Sequence, residues 1–279
     1  MADLYHYTSC EGFFGMLSEY DKETNPNLTM WATNVLFMND ASEYQFGQRV
    51  CKDLVMYYEA EEHIEDGFGY AYNDLDKFTK QDEQSYPCVV SLSTQPDNAA
   101  MWSMYSNSGK GMAIIFDQEN LSRIENVFLE ESWYCQTADD LLSNARIRSR
   151  IAHIYKHSLE MPHSGGVPNN VDPKSFYDII HALSFQLEVS TKIKHASFKY
   201  EAEKRLIKLG VDTPLFRVKK GVIVPYKKIL IPISAVKGFI IGPTANFEYM
   251  HKSLNLYLSS KGLNNLINKV TRSTVPYRG

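Results

Sequence analysis

The stretch Leu4-Tyr5-His6-Tyr7-Thr8-Ser9 decides the first elements of the fold. Its aromatic and β-branched residues predict a short strand, and the Thr-Ser pair at its end is typical of a helix N-cap. Because side chains alternate along a strand, His6 lies on the face opposite Tyr5 and Tyr7, and it shares its face with Thr8. That face can hydrogen-bond a sugar. The alternative is that His6 is a half-buried histidine at a strand edge.

Strands and helices are mixed along the rest of the chain, which predicts the α+β class. Apolar and β-branched runs predict strands at residues 28–33, 86–92, 112–116, 127–135, 214–218, 221–232 and 236–241. Helical spacing predicts helices from about residue 41 to 65, around residues 99–105, and at 138–158, 174–194 and 246–261. We therefore expect a single domain over residues 1–279, with helical insertions at about 43–84 and 138–194.

Two helix starts carry local capping signals. Asn39 or Asp40 is expected to cap the first long helix, with Glu43 in the capping-box position three residues after Asp40. Asp97 follows a proline turn and is expected to cap the short helix that contains Trp102.

Charge is unevenly distributed, although the net charge is only −4. Residues 1–99 hold 18 acidic and 5 basic side chains, whereas residues 192–228 hold 11 basic and 3 acidic side chains. Such asymmetry favours an anionic ligand or a nucleic acid on the basic side, or else two differently charged solvated faces.

The sequence favours a cytoplasmic protein that does not enter a membrane. No apolar run approaches the roughly 20 residues that span a bilayer, and no charged-then-apolar leader precedes the first strand. The four cysteines are far apart and lack CxxC spacing, which is typical of reduced thiols. His153 and His157 have the i, i+4 spacing of a metal pair, but a third ligand is missing nearby, so we expect no metal.

Glu201, Glu203 and Arg205 alternate in the segment at 200–207. On a strand, all three side chains point the same way, whereas at a helix end they spread around the axis. The two glutamates are therefore either a paired-carboxylate site or part of a structural ion network with Lys204 and Arg205.

The ordered set of motifs resembles a bacterial family described as a domain of unknown function. The motifs are LYHYTS, MWAT, MNDxSE, a strand ending in Ser, Trp-xx-Tyr, GxxIxF, YExEKR and IIGPT, at residues 4–9, 30–33, 38–43, 89–93, 102–105, 111–116, 200–205 and 240–244. That family is similar to a distant branch of the ADP-ribosyltransferase fold. The resemblance implies two packed, bent sheets with surrounding helices and a cleft that holds NAD+ as a co-substrate.

The resemblance also implies roles for particular residues. Glu203 is expected to hold the ribose and stabilise positive charge, while Glu201 orients the acceptor. The expected NAD+-binding residues are His6, Tyr7, Thr8, Trp31, Thr33, Ser91, Trp102 and Tyr105. Among the aromatic residues, Trp31, Trp102 and Tyr105 are candidates to stack on the nicotinamide, and each is equally a candidate for the core.

By this resemblance the chain is expected to be a toxin or antiphage effector that transfers ADP-ribose to nucleic acid, with RNA favoured, or to protein. Related toxins imply an antitoxin or a chaperone as a partner. Two alternatives stay open: a catalytically silent module that binds NAD or another nucleotide, and an α+β protein-interaction domain with an acidic partner surface.

Overall fold

The computed structural model describes residues 2–38, 41–75, 86–160, 167, 172–210, 213–219 and 221–276. Within these residues, helices and strands are mixed along the chain, and the expected α+β class is confirmed. The strands divide between one large mixed sheet and one small sheet. The residues outside this description include Asn39 and Asp40, residues 76–84 of the first expected insertion, and most of residues 160–173 in the second.

The strands match the predicted apolar runs closely. They are β1 Asp3–Thr8, β2 Asn27–Asn34, β3 Cys88–Ser93, β4 Met112–Asp117, β5 Phe128–Glu131, β6 Trp133–Cys135, β7 Ile193–His195, β8 Glu203–Lys208, β9 Leu215–Lys219, β10 Val222–Pro232, β11 Val236–Ile241 and β12 Val270–Arg272.

The helices bring the remaining apolar residues against these strands. They are α1 Cys10–Met16, α2 Ala41–Glu61, α3 Ala99–Tyr105, α4 Gln118–Ser122, α5 Ala138–Leu142, α6 Ala145–Leu159, α7 Pro173–Val189, α8 Phe247–Ser260 and α9 Asn264–Ile267, with short 3₁₀ turns including Gly69–Asn73 and Ala196–Glu201.

Several local predictions were wrong in detail. The expected helix at 138–158 is two helices, because Asn144 accepts hydrogen bonds from the amides of Arg146 and Ile147 and starts a new helix. The expected strand at 127–135 breaks at Ser132, and its two halves join different sheets. Ser9 does cap α1 as predicted, by accepting from the amide of Gly12.

The large sheet divides at β3. Its order is β12-β11-β4-β1-β3-β2-β10-β9, while β8 and β5 extend from β3 on a separate branch. β8 pairs along the whole of one edge of β3. β1 and β2 share the other edge: β1 pairs with β3 only at Ser93, and β2 pairs only at Cys88 and Val89, at the opposite end. The strands β1 and β2 consequently diverge and leave an opening over the middle of β3.

The buried apolar residues form two large hydrophobic cores. One lies between the sheet and helices α1 and α8, and includes Leu4, Phe13, Phe116 and Phe239. The other is formed by the helices at residues 41–75 and 138–189, and joins Leu54, Phe68, Tyr155 and Phe185. The helical segments expected near 43–84 and 138–194 therefore pack mainly on one another. The small sheet of β6 and β7 borders this second core.

Candidate functional site

A cavity of about 720 Å³ lies at the opening between β1 and β2. It brings together most of the residues singled out from the sequence, which lie far apart in the chain: His6, Tyr7, Thr8, Trp31, Thr33, Ser91, Tyr105, Glu201 and Glu203. The register pairs Tyr5 with Ser93 and Ser93 with Glu203. β1 and the start of β8 are therefore not adjacent strands. They lie on opposite edges of β3, about two strand spacings, roughly 10 Å, apart.

Trp102 does not line this cavity. Its side chain is fully buried, its ring packs edge-on against Tyr7 with the centroids 4.8 Å apart, and its Nε1 donates to Asp97 at 2.6 Å. The structure therefore places Trp102 in a small core and leaves its ring unavailable for stacking on a ligand. The expectation that Trp102 contacts the cofactor is corrected by this burial.

Asp97 also differs from its predicted role. The cap of α3 is Asn98, whose side chain accepts from the amides of Ala100 and Met101. Asp97 accepts instead from Trp102, Ser273 and Thr274. It thereby ties the segment after β12 to the start of α3, beneath one wall of the cavity.

His6 enters the cavity as a neutral ring. Its Nδ1 lies 3.0 Å from the carbonyl oxygen of Ser91, an atom that can only accept, so Nδ1 carries the proton and Nε2 is an acceptor. Burial lowers the pKa of His6 from 6.5 to about 4, against the opposing effect of the hydrogen bond to Ser91. This geometry follows from the opening in the sheet. The backbones of β1 and β3 pair at Tyr5 and Ser93 but not at His6, so the His6 ring reaches the Ser91 carbonyl instead.

A left-handed residue separates the two glutamates. Glu201 ends the 3₁₀ turn, Ala202 has φ 42° and ψ 53°, and Glu203 starts β8. The alternating strand anticipated over 201–205 therefore begins only at Glu203. Both carboxylates nevertheless line the cavity. A left-handed alanine is energetically unfavourable, and such positions recur at functional sites.

Glu203 is a buried carboxylate with one occupied and one unoccupied oxygen. Its Oε2 accepts from Lys194 and Arg205, both at 2.9 Å, and from the Ser132 hydroxyl at 3.2 Å. Its Oε1 accepts no hydrogen bond of good geometry among the described residues, and the Ser91 side chain lies near enough to help lower the pKa of this carboxyl. Burial alone would raise the pKa of Glu203, but Arg205 and Lys194 outweigh burial and lower it to about 2. Glu203 is therefore ionised at neutral pH.

Glu201 differs from Glu203 because both of its oxygens are occupied. Oε1 accepts from the Tyr105 hydroxyl at 2.8 Å, and Oε2 accepts from Lys194 at 2.5 Å. Burial is the main cause of the raised pKa of Tyr105, and the charge of Glu201 adds to it, so the phenol remains a proton donor. Tyr105 is the aromatic candidate that both lines the cavity and contacts a carboxylate.

Glu43 was missed as a site residue by sequence reasoning. Its Oε1 accepts from Arg205, and its Oε2 lies 3.4 Å from Lys194. Three buried carboxylates thus share two buried cations, which leaves the cluster with a net negative charge. The MNDxSE motif was the available signal, but its glutamate was interpreted as a helix cap.

Arg217 is the second residue that sequence reasoning missed. It lines the cavity, and its guanidinium lies over the ring of Trp31 with the Cζ 5.1 Å from the ring centroid. It donates to the Thr33 hydroxyl at 2.7 Å. Trp31 and Thr33, both predicted as NAD+ contacts, are therefore engaged by a cation from β9.

The basic excess of residues 192–228 does not form one exposed surface. Lys192, Lys194, Arg205 and Lys227 are all buried, and the first three contact carboxylates. Lys228 pairs with Glu19 at 2.5 Å. Among the described basic residues of this stretch, those that pair with carboxylates include Lys192, Lys194, Lys204, Arg205 and Lys228. Arg217 and Lys219 line the cavity.

The fold and the cavity define an α+β protein with a candidate site built around buried carboxylates. A model of the family described as "Protein of unknown function (DUF2971)" matches residues 101–206, a range that includes Tyr105, Glu201 and Glu203. No curated protein and no solved structure matches the chain. Among the described residues, no helix has the length and apolar character required to cross a membrane.

Proposed function

We propose that this protein is an ADP-ribosyltransferase that uses NAD+ as its co-substrate. The observation that carries the proposal is Glu203, an ionised and buried carboxylate with an unpartnered oxygen in a cavity shared with His6. The volume of about 720 Å³ suits a ligand of dinucleotide class, because ligand pockets commonly range over roughly 300–1,000 Å³.

Transfer of ADP-ribose begins with cleavage of the bond between the nicotinamide nitrogen and C1′ of the ribose. The bonding electrons leave with nicotinamide, which becomes neutral, and positive charge develops on the ribose. A fixed carboxylate beside that sugar stabilises the charge electrostatically. The acceptor then bonds to C1′ and loses its proton.

The surroundings of Glu203 suit this task. Lys194 and Arg205 hold Oε2, so that Oε1 stays in a fixed position for a ribose hydroxyl or the developing charge. The low pKa of Glu203 keeps the carboxylate charged at neutral pH. His6 offers Nε2 as an acceptor for a ribose hydroxyl, and Thr8 on the same strand lines the cavity.

In this proposal Glu201 orients the acceptor and Tyr105 supports the nicotinamide. Glu201 is held by Tyr105 and Lys194, which fixes its position but leaves neither oxygen unpartnered. An acceptor bound by Glu201 must therefore either replace Tyr105 or Lys194 as a hydrogen-bond partner or form an additional hydrogen bond to the carboxylate. Nucleic acid, with RNA favoured by the family resemblance, or protein is the proposed acceptor; the same resemblance proposes a toxin or antiphage role in the cytoplasm with an antitoxin or chaperone.

A catalytically silent nucleotide-binding module is the second candidate. It is favoured by the two cations on Glu203, which neutralise much of the charge that the transferase needs. A silent module predicts nucleotide binding without turnover of NAD+.

The test is Glu203→Gln, which keeps the size of the side chain but removes its charge. Transfer from labelled NAD+ to the protein, RNA or DNA fraction of a lysate should fall by roughly 10²–10³-fold, as for loss of one electrostatic contact to the transition state. Glu201→Gln should lose transfer but keep slow NAD+ hydrolysis, whereas His6→Ala should weaken NAD+ binding.

Unfolding is measured on the same preparations. Normal stability with lost turnover supports the transferase, and full activity in Glu203→Gln excludes the catalytic assignment. Retention of labelled RNA that weakens steeply with salt would support a nucleic-acid acceptor, because Lys and Arg displace counterions from phosphates. A flat salt dependence would favour a protein acceptor.

A further inference from the structure

Arg217 is a half-buried cation whose partners differ from those of the buried Lys192, Lys194 and Arg205. Lys192, Lys194 and Arg205 each contact at least one carboxylate. Among the described residues, Arg217 forms no ion pair: Nη2 donates to the Thr33 hydroxyl at 2.7 Å and to the Trp31 carbonyl oxygen at 3.5 Å, and the buried Nε has no partner. The principal influence on the pKa of Arg217 is burial, which lowers it. A cation in this setting lacks a compensating anion.

The guanidinium is held in place before any ligand arrives. Its Cζ lies 5.1 Å from the ring centroid of Trp31 and 5.5 Å from that of Tyr226. Gly15 leaves room for the indole, because a Cβ there would lie 2.4 Å from the Cη2 atom of Trp31. A fixed planar guanidinium loses little conformational entropy when it binds an anion with two parallel hydrogen bonds.

The position of Arg217 gives the cavity two different sides. Glu203 enters from β8, on one edge of β3, whereas Arg217 comes from β9 and contacts β2 on the other edge. Lys219, two residues further along β9, also lines the cavity. The carboxylate side is therefore negative, and Arg217 places a positive charge without an ion pair on the β9 side.

We infer that Arg217, supported by Lys219, forms the site that binds the diphosphate of a nucleotide in this cavity. The assignment to NAD+ rests on the proposed function, but the site accepts any nucleoside diphosphate of suitable size. In this arrangement Arg217, and not the nicotinamide, occupies one face of the Trp31 ring. Tyr105 is then the remaining aromatic candidate to stack on the nicotinamide near the carboxylates.

The test uses ADP, which carries the diphosphate but lacks nicotinamide and its ribose, and adenosine, which lacks phosphate. Calorimetric titration should show that ADP binds the unmodified protein more tightly than adenosine. Arg217→Gln should weaken ADP roughly 10–100-fold, the effect of one charge-assisted double contact, and should leave adenosine unchanged. Lys219→Gln should weaken ADP by a smaller factor.

Two further variants make the result decisive. Arg123→Gln removes an exposed cation paired with Glu119 and should leave ADP binding unchanged. Glu203→Gln should also retain ADP binding, because the carboxylate side is not needed for a diphosphate. If Arg217→Gln unfolds at a lower temperature, Arg217→Lys tests the site with the charge retained, and an intermediate ADP affinity is expected.

Equal ADP affinity in the unmodified protein and in folded Arg217→Gln and Lys219→Gln would overturn the site, as would absence of ADP binding to the unmodified protein. This outcome is separable from failure of the transferase. ADP binding that depends on Arg217, without any NAD+ turnover, would support the diphosphate site and exclude the transferase activity. NAD+ turnover by Arg217→Gln with an unchanged KM would support the transferase activity and exclude the diphosphate site.

Discussion

Glu43 and Arg205 form an ion pair that is buried at both ends, although 162 residues separate them in the sequence. Arg205 also donates to the carbonyl oxygen of Thr191 and to Glu203. Helix α2 is thereby joined to β8 at the carboxylate that we place in catalysis. The arrangement makes Glu43 a positioning residue, since it acts on Glu203 through Arg205.

Glu43→Gln should destabilise the fold and misplace Glu203. Removing one partner of a buried pair costs about 3–5 kcal/mol, and the lower end is expected here because two carboxylates remain to balance two cations. Urea unfolding measures this change. Glu19→Gln is the matched control: it breaks the exposed pair with Lys228 and should cost less than about 1 kcal/mol. Equal losses in both variants would contradict the role of burial.

Acid should destabilise the protein through His6. Its pKa is about 4 in the folded state and about 6.5 when unfolded, so the unfolded chain binds the proton first as the pH falls. The free energy of unfolding should therefore drop between pH 6.5 and pH 4, by up to roughly 3 kcal/mol. Denaturant unfolding at intervals across that range measures the slope.

His6→Gln keeps a side-chain donor for the Ser91 carbonyl but cannot titrate. The difference in unfolding free energy between the unmodified protein and His6→Gln should change over pH 4–6.5 and stay constant above pH 7.5. Stability from the low pKa of Glu203 is lost as the pH falls from about 4.5 towards about 2, and this loss cancels in the difference because both proteins contain Glu203. If the unfolding free energies of the unmodified protein and His6→Gln changed in parallel with pH, a group other than His6 would cause the acid destabilisation.

Asp97→Ala should release the segment after β12. The carboxylate accepts from Trp102 at 2.6 Å, from Ser273 at 2.6 Å and from the amide of Thr274 at 2.7 Å. A hydrogen bond to a charged group contributes about 1.5–3 kcal/mol, but Asp97 is partly exposed and solvent weakens each contact, so losing all three should cost at least about 3 kcal/mol. Amide exchange should rise in residues 270–276 and in α3. Asp172→Ala, which removes only the cap of α7, should raise exchange locally at that helix.

Gly47→Ala should destabilise the protein even though alanine favours helices. A Cβ at this position in α2 would lie 2.6 Å from the backbone carbonyl oxygen of Ser190, an atom that cannot rotate away. The helix must shift, and the overlap should outweigh the gain of about 1 kcal/mol in helix propensity. Thermal unfolding measures the sign. A raised melting temperature would show that α2 adapts freely; Arg49→Ala, exposed on the same helix, should be near neutral.

The strands were predictable because their signal is local. Alternation and β-branched runs placed β2, β3, β4, β10 and β11 within a few residues of their bounds. Breaks such as Asn144 were missed because a single side-chain cap changes little in the hydrophobic pattern of residues 138–158. Periodicity describes which face is apolar, whereas a cap depends on a few hydrogen bonds.

The site was predictable only as a set of candidates. His6 and Glu203 carried chemistry that motifs could indicate, and both line the cavity. The partners of Glu43 and Arg217 depend on strand pairing between distant segments, which no local pattern specifies. Trp102 shows the opposite difficulty, because an aromatic in a motif gives no indication of whether its ring faces a ligand or the core.

The pairing of β2 with β10, which joins Thr29 to Leu230, has a consequence for the order of events during synthesis. β2 and β3 leave the ribosome long before their partners β10 and β8 have been synthesised. Folding dominated by such distant pairings is slow, and unpaired strands are exposed meanwhile. Because Glu203 and Arg217 both line the cavity, it can form only after the chain has been synthesised beyond residue 217.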